Sequence, residues 1–314
     1  MEECYLESPI LVINDLCEKE KLEFITSELF KINFKNISLL ILKPNLDDIF
    51  SVFVKNGLTI NLCTKGKELK KIVLFISNNE EAKKIINHIE FEIKISALQT
   101  EFQEILEAIA YCHLFGIPIY LNIYLETDDI ELLKQTLFSF IPLGIYKIKI
   151  ICPLPEKENL HNIPSPQKIK DVIVPKIEIL SRLSDYKILW TGWNTKKNSP
   201  LYPCEAFYRL SIAQNGDFLF CPILEMYFPH KREIRFANIF HVSIRDAISM
   251  HYKMLAEVLR WRMKAKSLIN FGKYPLCYWC LYQFGMLNWI SDFPDSLWAE
   301  GIREAKQYGL YPMF

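Results

Sequence analysis

Four cysteines in the last third of the chain have the residue type and the spacing of a metal-binding site. Cys204 and Cys221 flank a predicted hairpin, and Cys277 and Cys280 are separated by two residues. A Cys-x2-Cys pair places two thiolates on one turn, and a second pair from a distant hairpin completes a cage of four sulfur ligands. Such a cage binds a [4Fe–4S] cluster or a structural zinc ion, and the spacing alone does not distinguish between them.

Three further cysteines are predicted to lie at the carboxyl ends of strands. Cys17, Cys63 and Cys152 fall at the ends of the first, third and sixth predicted strands. In a parallel barrel these strand ends form the face on which sites are built. They therefore make a second candidate site for a metal or for redox chemistry, although each thiol also packs well as a small hydrophobe. Cys112 lies within an apolar helical stretch, and we expect it in the core.

Composition excludes several classes of function. The chain has 314 residues with 37 basic and 37 acidic side chains, so no net charge directs it to nucleic acid or to an anionic membrane surface. No apolar run approaches the length of a membrane span, and the acidic start is unlike a signal peptide. We therefore expect a cytoplasmic protein, in which the nine cysteines serve as thiols and ligands and form no disulfides.

The first two thirds of the chain alternate short β-branched runs with longer helical patterns. The predicted strands cover residues 9–14, 37–42, 58–63, 91–97, 117–125 and 146–151, and the predicted helices cover 18–32, 46–56, 67–89, 99–115, 127–142 and 166–184. Six βα units imply a parallel sheet with right-handed crossovers, either open and doubly wound or closed into a partial barrel. The segment 71–77 is ambiguous, because it is rich in β-branched residues where a helix is expected.

The pattern changes after about residue 187. Two alternating runs surround Asn215-Gly216 and predict a hairpin, and a helix is expected over residues 242–263. The Cys-x2-Cys turn and an aromatic-rich tail follow. We expect the aromatic residues Tyr278, Trp279 and Tyr282 either to shield the cysteines from water or simply to pack in the core. We place a domain boundary in the loop 192–203, with one domain over 1–190 and a second over 191–314.

The last third resembles the SPASM domain of radical SAM proteins over residues 200–285. The features that carry this resemblance are the Cys204-x11-Gly216-x4-Cys221 hairpin, Ala237-Asn238-Ile239, the predicted helix around Ile244–Arg260 and Pro275-Leu276-Cys277-Tyr278-Trp279-Cys280. The resemblance implies that Cys204, Cys221, Cys277 and Cys280 hold an auxiliary [4Fe–4S] cluster. No cysteine follows Cys280, which implies the short form of the domain with a single cluster.

The first two thirds resemble the six-stranded partial (β/α)6 barrel of radical SAM proteins, with two departures. The family carries a Cys-x3-Cys-x2-Cys loop after its first strand, whereas here Cys17 is followed at once by the helical pattern Glu18-Lys19-Glu20-Lys21. The family's Gly-Gly-Glu-Pro after the second strand corresponds to Ile41-Leu42-Lys43-Pro44, which keeps only the proline. Thr64-Lys65-Gly66 is similar to the family's Thr-Asn-Gly. These departures predict a degenerate member, a pseudoenzyme that does not cleave SAM.

We therefore expect an α/β fold: a partial (β/α)6 parallel barrel of radical SAM type, followed by a small SPASM-like α+β domain. The resemblance implies an iron–sulfur protein that acts beside a peptide- or protein-modifying maturase, as its partner, electron relay or substrate-recognition subunit. The expected partner is a protein or peptide, with no nucleic acid and no membrane, and SAM is not an expected cofactor. Two alternatives stay open: an active radical SAM enzyme with a non-standard cluster site, and a zinc-stabilised interaction module.

Overall fold

The computed structural model describes most of the chain. It covers residues 9–13, 18–41, 46–127, 129–151, 154–158, 160–183, 188–191, 204, 209–227 and 232–313. Cys17 and Cys152 of the second candidate site lie outside these ranges, as does the proposed boundary loop 192–203. Within these ranges, none of the helices combines the length and the hydropathy required to cross a membrane.

Ten strands and eleven helices position the candidate sites in the part of the chain that the structure describes. The strands are β1 (Ile10–Ile13), β2 (Asn36–Ile41), β3 (Thr59–Lys65), β4 (Ile86–Lys94), β5 (Ile119–Tyr124), β6 (Lys147–Ile151), β7 (Ile188–Thr191), β8 (Ser211–Ala213), β9 (Asp217–Leu219) and β10 (Arg235–Asn238). The helices are α1 (Lys19–Lys31), α2 (Leu46–Lys55), α3 (Gly66–Ser77), α4 (Glu80–Ile85), α5 (Leu98–Leu114), α6 (Ile130–Phe140), α7 (Val174–Leu183), α8 (Pro222–Tyr227), α9 (Ile244–Leu268), α10 (Leu276–Gln283) and α11 (Leu297–Gln307). A short helical segment, Pro166–Lys168, and a π-helical turn, Ile169–Ile173, lead into α7.

The chain forms two compact units. The first comprises Met1–Ile93, Ala97–Leu121 and Pro203–Lys253. Its strands follow the order β10-β9-β8-β1-β2-β3-β4-β5. β8, β1, β2, β3 and β4 pair in parallel, whereas β8, β9 and β10 form an antiparallel ribbon. The predicted hairpin is confirmed, and it extends the sheet beside β1.

The second unit comprises Lys94–Ser96, Asn122–Tyr202 and Met254–Phe314. It contains the rest of β5, followed in the sheet by β6 and then β7, which pairs with β6 in parallel. β7 was not among the predicted strands. The alternation of strands and helices around a parallel sheet confirms the predicted α/β class.

The long helix predicted over 67–89 is wrong. The helix α3 ends at Ser77, Asn79 caps the short helix α4 by accepting a hydrogen bond from the Ala82 N–H at 3.0 Å, and β4 begins at Ile86. The ambiguous segment 71–77 is helical, because its large apolar residues fall at helical spacing. One face of α3 is buried and comprises Leu69, Ile72, Val73 and Ile76.

Gly216 has a positive φ of 85°, and a Cβ built there would lie 2.7 Å from the Phe240 ring. Gly57 has a similar φ of 64° with no atom within 4 Å of its Cβ position. We expect Gly57→Ala to destabilise the protein by about 1 kcal/mol through backbone strain. Gly216→Ala should cost about 1–3 kcal/mol more, because the added methyl group overpacks the turn. Chemical unfolding of both variants tests this, and equal losses would contradict it.

Candidate four-cysteine metal centre

Cys221 lies where the hairpin changes from strand to helix. The Gly216 N–H donates to the Ala213 carbonyl at 2.8 Å and closes the turn between β8 and β9. The Phe220 N–H then donates to the Ile234 carbonyl at 2.8 Å, and α8 begins at Pro222. Cys221 is half-buried between these elements, so its sulfur is held at a fixed point of the backbone.

Arg235 of β10 connects the elements on both sides of Cys221. Its Nη2 donates to Glu225 Oε1 of α8 at 2.7 Å, and its Nη1 donates to the Asp217 carboxylate of β9. The Glu225 side chain is fully buried, so its negative charge is removed from water and compensated by the guanidinium. The three side chains therefore fix β9, β10 and α8 around the cysteine.

Asp217 is held in its ionised form by hydrogen bonds. Burial by itself raises the pKa of this carboxyl, but donors on Asn238, Arg235 and Asn215 outweigh that effect and lower the pKa below its ordinary value. The Asn238 and Asn215 amides each donate to it at 2.8 Å. Asn238 belongs to the Ala237-Asn238-Ile239 segment of the resemblance, and its role in this structure is to connect β10 to the turn.

Cys277 and Cys280 lie one turn apart on α10. The spacing of three residues places both side chains on the same side of the helix, with Cys277 half-buried and Cys280 only 7% exposed. Arg262 of α9 reaches the second cysteine, and its Nη2 donates to Cys280 Sγ at 2.8 Å. The guanidinium is itself 1% exposed. A buried cation therefore lies directly against one predicted ligand.

The aromatic residues around this pair are fully buried. The Trp279 Nε1 donates to the Phe271 carbonyl at 2.9 Å, and the Tyr282 hydroxyl donates to the Leu310 carbonyl at 2.7 Å. The Tyr278 hydroxyl donates to the Trp298 carbonyl of α11. Burial raises the pKa of Tyr282 to about 12, so its hydroxyl remains a neutral donor. These aromatic residues belong to the packed core, and they exclude water from the buried side of α10.

Around Cys280 the structure brings together two of the four predicted ligands, Cys277 and Cys280. Three residues further along α10, Gln283 is fully buried, and neither polar atom of its side chain has a hydrogen-bond partner. An unsatisfied buried amide costs about 1–3 kcal/mol, which is recovered when it meets a polar group such as a cluster sulfide. Two thiols, a cationic donor and this amide have the chemistry of part of a metal–thiolate site, and within the described ranges no third ligating side chain joins them.

The two cysteine pairs belong to different compact units. Cys204 and Cys221 lie in the first unit, and Cys277 and Cys280 lie in the second. Over the described ranges, no group of three or more His, Cys, Asp or Glu side chains lies close enough together to hold a metal ion. Each unit by itself supplies only two of the four cysteines, so the set of four ligands stays a prediction.

Of the second candidate site, the structure describes Cys63 alone. Its side chain is half-buried on β3, and its Sγ lies 3.9 Å from Glu92 Oε1. On the same face of the sheet it packs against a buried apolar cluster made of Ile10, Val12, Leu40, Ala213 and Leu219. The face of the sheet beside β1 is therefore filled by side chains. The site with Cys17 and Cys152 stays a prediction. Cys112 is fully buried, which raises the pKa of its thiol to about 12 and confirms its core position.

Sequence reasoning missed two arginines near these cysteines, one that contacts Cys280 and one that connects the elements flanking Cys221. Arg262 falls on the apolar stripe of α9 between buried Val258 and Ala265. An arginine at such a position is a recognisable pattern, because a buried guanidinium is stable only where its charge is paired or hydrogen-bonded. Arg235 gives no comparable pattern, since β10 is half-buried throughout its length.

Comparisons with solved structures support the fold. No protein-family model and no curated protein sequence matches this chain. Streptococcus suis SuiB bound to S-adenosylmethionine is similar with a TM-score of 0.53 and 15% identity, covering 77% of this chain and 63% of SuiB. SuiB bound to its precursor peptide SuiA gives a TM-score of 0.55 at 14% identity, with 77% and 64% covered. Native anSMEcpe with bound AdoMet gives 0.58 at 10% identity, with 85% and 88% covered.

At these identities the likeness concerns the fold alone. The chain spans less than two thirds of the length of SuiB. The neighbours have the partial-barrel fold of radical SAM proteins, and the parallel sheet of this chain matches it, as the sequence predicted.

Removal of Arg235 should destabilise the hairpin that carries Cys221. We expect Arg235→Met to lower the free energy of unfolding by about 3 kcal/mol, because Glu225 would keep a buried charge without its guanidinium. Arg235→Met combined with Glu225→Gln should recover part of that loss, since the amide carries no charge. Chemical unfolding measures both changes, and the exposed Arg232→Met serves as the control. A double variant no more stable than Arg235→Met would contradict this assignment.

Asp217 should make the stability of the protein sensitive to acid. Its pKa is lowered on folding, so its contribution is fully present above its unfolded pKa of about 3.9 and is lost as the pH falls through the lower folded value. We expect Asp217→Asn to be less stable than the parent chain at pH 6, and the difference to shrink toward pH 3. Unfolding curves across this range check the prediction, and a difference independent of pH would contradict it.

Proposed function

We propose that this chain is an iron–sulfur protein of the radical SAM and SPASM type that does not cleave SAM. The observation that carries this proposal is the short connection after the first strand. β1 ends at Ile13 and α1 begins at Lys19, and the only cysteine between them is Cys17. The loop that holds the SAM-cleaving cluster in the resembling family requires three cysteines in eight residues, and this connection cannot contain it.

The proposed cluster is held by Cys204, Cys221, Cys277 and Cys280. When bound, a [4Fe–4S] cluster with four thiolate ligands supplies one-electron transfer or structural support, because no iron has an open position. The residues of the chain contribute the rest. The thiolates provide the ligands, Arg235 and Asp217 fix the backbone on either side of Cys221, and the buried aromatic residues keep water away from Cys280.

The proposed partner is a peptide- or protein-modifying maturase, or its substrate. SuiB has been solved with its precursor peptide SuiA and native anSMEcpe with the peptide Kp18Cys, so chains of similar fold hold peptides. A chain with this fold but no SAM-cleaving loop suits a subunit that relays an electron or recognises the peptide for a second, catalytic chain. The balance of 37 basic and 37 acidic residues disfavours a nucleic acid or membrane partner. We place this role in the cytoplasm, where the nine cysteines would remain reduced.

Analysis of iron, acid-labile sulfide and zinc in protein purified without oxygen tests the proposal. We expect about four irons and four sulfides per chain, as for one [4Fe–4S] cluster. Cys277→Ala should lose them, because it removes a ligand, whereas Cys63→Ala should retain them. Incubation with SAM and a strong reductant should yield no 5′-deoxyadenosine.

Other outcomes distinguish the alternatives. About eight irons that fall to four in Cys63→Ala would establish a second cluster, and together with stoichiometric 5′-deoxyadenosine would support an active enzyme. One zinc ion without sulfide would identify a zinc-stabilised interaction module. Either result would overturn the proposed function.

A further inference from the structure

Cys277 is the one residue of α10 that is not buried. The helix has 8 residues and the other seven are buried, among them Cys280 at 7% exposure. The part of α10 that is accessible from outside is therefore a thiol, and a second thiol lies three residues further along the same helix. Both cysteines belong to the second unit, so their arrangement depends on neither Cys204 nor Cys221.

The spacing of this pair suits a disulfide. Two residues three apart in an α-helix have Cα atoms about 5 Å apart, inside the range of about 4.4–6.8 Å found for disulfides. Their Cβ atoms, at about 5–6 Å, are slightly further apart than a disulfide requires. The first turn of a helix can close this gap, because its leading N–H groups make no intrahelical bond. Cys277 lies in this turn, as the second residue of α10.

The rest of α10 is held in place by contacts that do not involve the accessible thiol. Its three aromatic side chains each donate a hydrogen bond to a backbone carbonyl outside the helix, at Trp298, Phe271 and Leu310. The Arg262 Nη2 donates to Cys280 Sγ at 2.8 Å, which keeps the second sulfur in position. A change in the oxidation state of the pair is therefore confined to the first turn of the helix.

We propose that Cys277 and Cys280 form a redox-active dithiol in the chain without bound metal, and that small-molecule disulfides oxidise it to an intrahelical disulfide. The thiolate of the accessible Cys277 attacks one sulfur of the small disulfide, forms a mixed disulfide and releases one thiolate. The Cys280 thiolate then attacks the Cys277 sulfur, the protein disulfide forms and a second thiolate leaves. Two electrons pass from the pair to the small disulfide, and the two protons of the pair end on the two released thiols.

The dithiol chemistry stands without the cluster, but it has a consequence that rests on the proposed function. The same two sulfurs are proposed ligands, and a sulfur bonded to another sulfur is no longer a thiolate that can ligate iron or zinc. The oxidised pair therefore blocks assembly of the metal centre, and a bound cluster in turn protects the pair from oxidation. A reversible disulfide agrees with the proposed cytoplasmic role, because disulfides in that compartment are transient and redox-sensing.

Peptide mapping of the full chain tests this inference. The chain is purified without oxygen, stripped of metal with a chelator, incubated with reduced and oxidised glutathione, alkylated and digested with trypsin. The tryptic peptide over residues 274–303 contains Cys277 and Cys280 and no other cysteine. We expect this peptide to lose two hydrogen atoms and to take up no alkyl group, and excess dithiothreitol should restore both thiols.

Single variants assign the roles of the two sulfurs. Cys280→Ala should keep glutathione as a mixed disulfide on Cys277, because no second thiol displaces it. Cys277→Ala should be glutathionylated more slowly than Cys280→Ala by a factor of about ten, because its remaining thiol is buried. Cys63→Ala is the matched control and should form the disulfide in the 274–303 peptide as the parent chain does. Equal rates in the two variants of the pair would contradict the assigned roles.

Fully buried Cys112 reports whether the stripped chain is folded, because its thiol should resist alkylation in the folded state. If stripping unfolds the chain, Cys204→Ala provides the metal-free protein, since it removes one proposed ligand and keeps the pair.

The iron and sulfide content of the same preparations separates this inference from the proposed function. A folded metal-free chain whose 274–303 peptide keeps two alkylated thiols, or in which Cys277 pairs with another cysteine, overturns the inference, even where the untreated chain holds a cluster. A peptide that is oxidised in the stripped chain and protected in the iron-loaded chain supports both. A chain that binds no iron yet forms this disulfide supports the inference and overturns the proposed function.

Discussion

Parallel pairing between β1 and β8 is the constraint on which the hairpin of the candidate site depends. Ile10 pairs with Ser211 and Val12 with Ala213, although about 200 residues of chain separate the two strands. The Ile10 N–H also donates to the Leu210 carbonyl, and the Gln214 N–H donates to the Val12 carbonyl. These bonds make the hairpin part of the N-terminal sheet. The backbone that leads to Cys221 is therefore fixed by the first strand of the chain, and residues 203–253 belong to the same compact unit as that strand.

Buried charge is the second organising feature, and it occurs near Cys221 in the first unit and beside Cys280 in the second. In the first unit Arg235 compensates Glu225, and in the second unit Arg262 contacts Cys280. Taking such groups out of water is expensive, and their attraction repays that expense only with good geometry. Half-buried Arg235 thus fixes the elements that flank Cys221, and buried Arg262 holds the Cys280 sulfur by a hydrogen bond.

The parallel sheet forms around a short connection after its first strand. β1 ends at Ile13 and α1 begins at Lys19, and the sheet and its helices have the fold of the solved neighbours. Beside β1, the face of the sheet that Cys63 shares is filled by Val12, Leu40 and their apolar neighbours. This packing stabilises the sheet beside β1.

The sequence by itself determined the α/β class, most of the strand and helix positions, the hairpin at Asn215-Gly216 and the identity of the cysteines, because periodicity and turn residues act over a few neighbouring positions. It misplaced β4 and left the segment 71–77 ambiguous, since short apolar runs fit a helix or a strand equally well. Only the tertiary structure decided that β8 pairs with β1, that Arg235 compensates Glu225 and that Arg262 reaches Cys280. These contacts join residues that are distant along the chain or lie on different elements, and they follow from packing and from the compensation of buried charge, which no local pattern encodes.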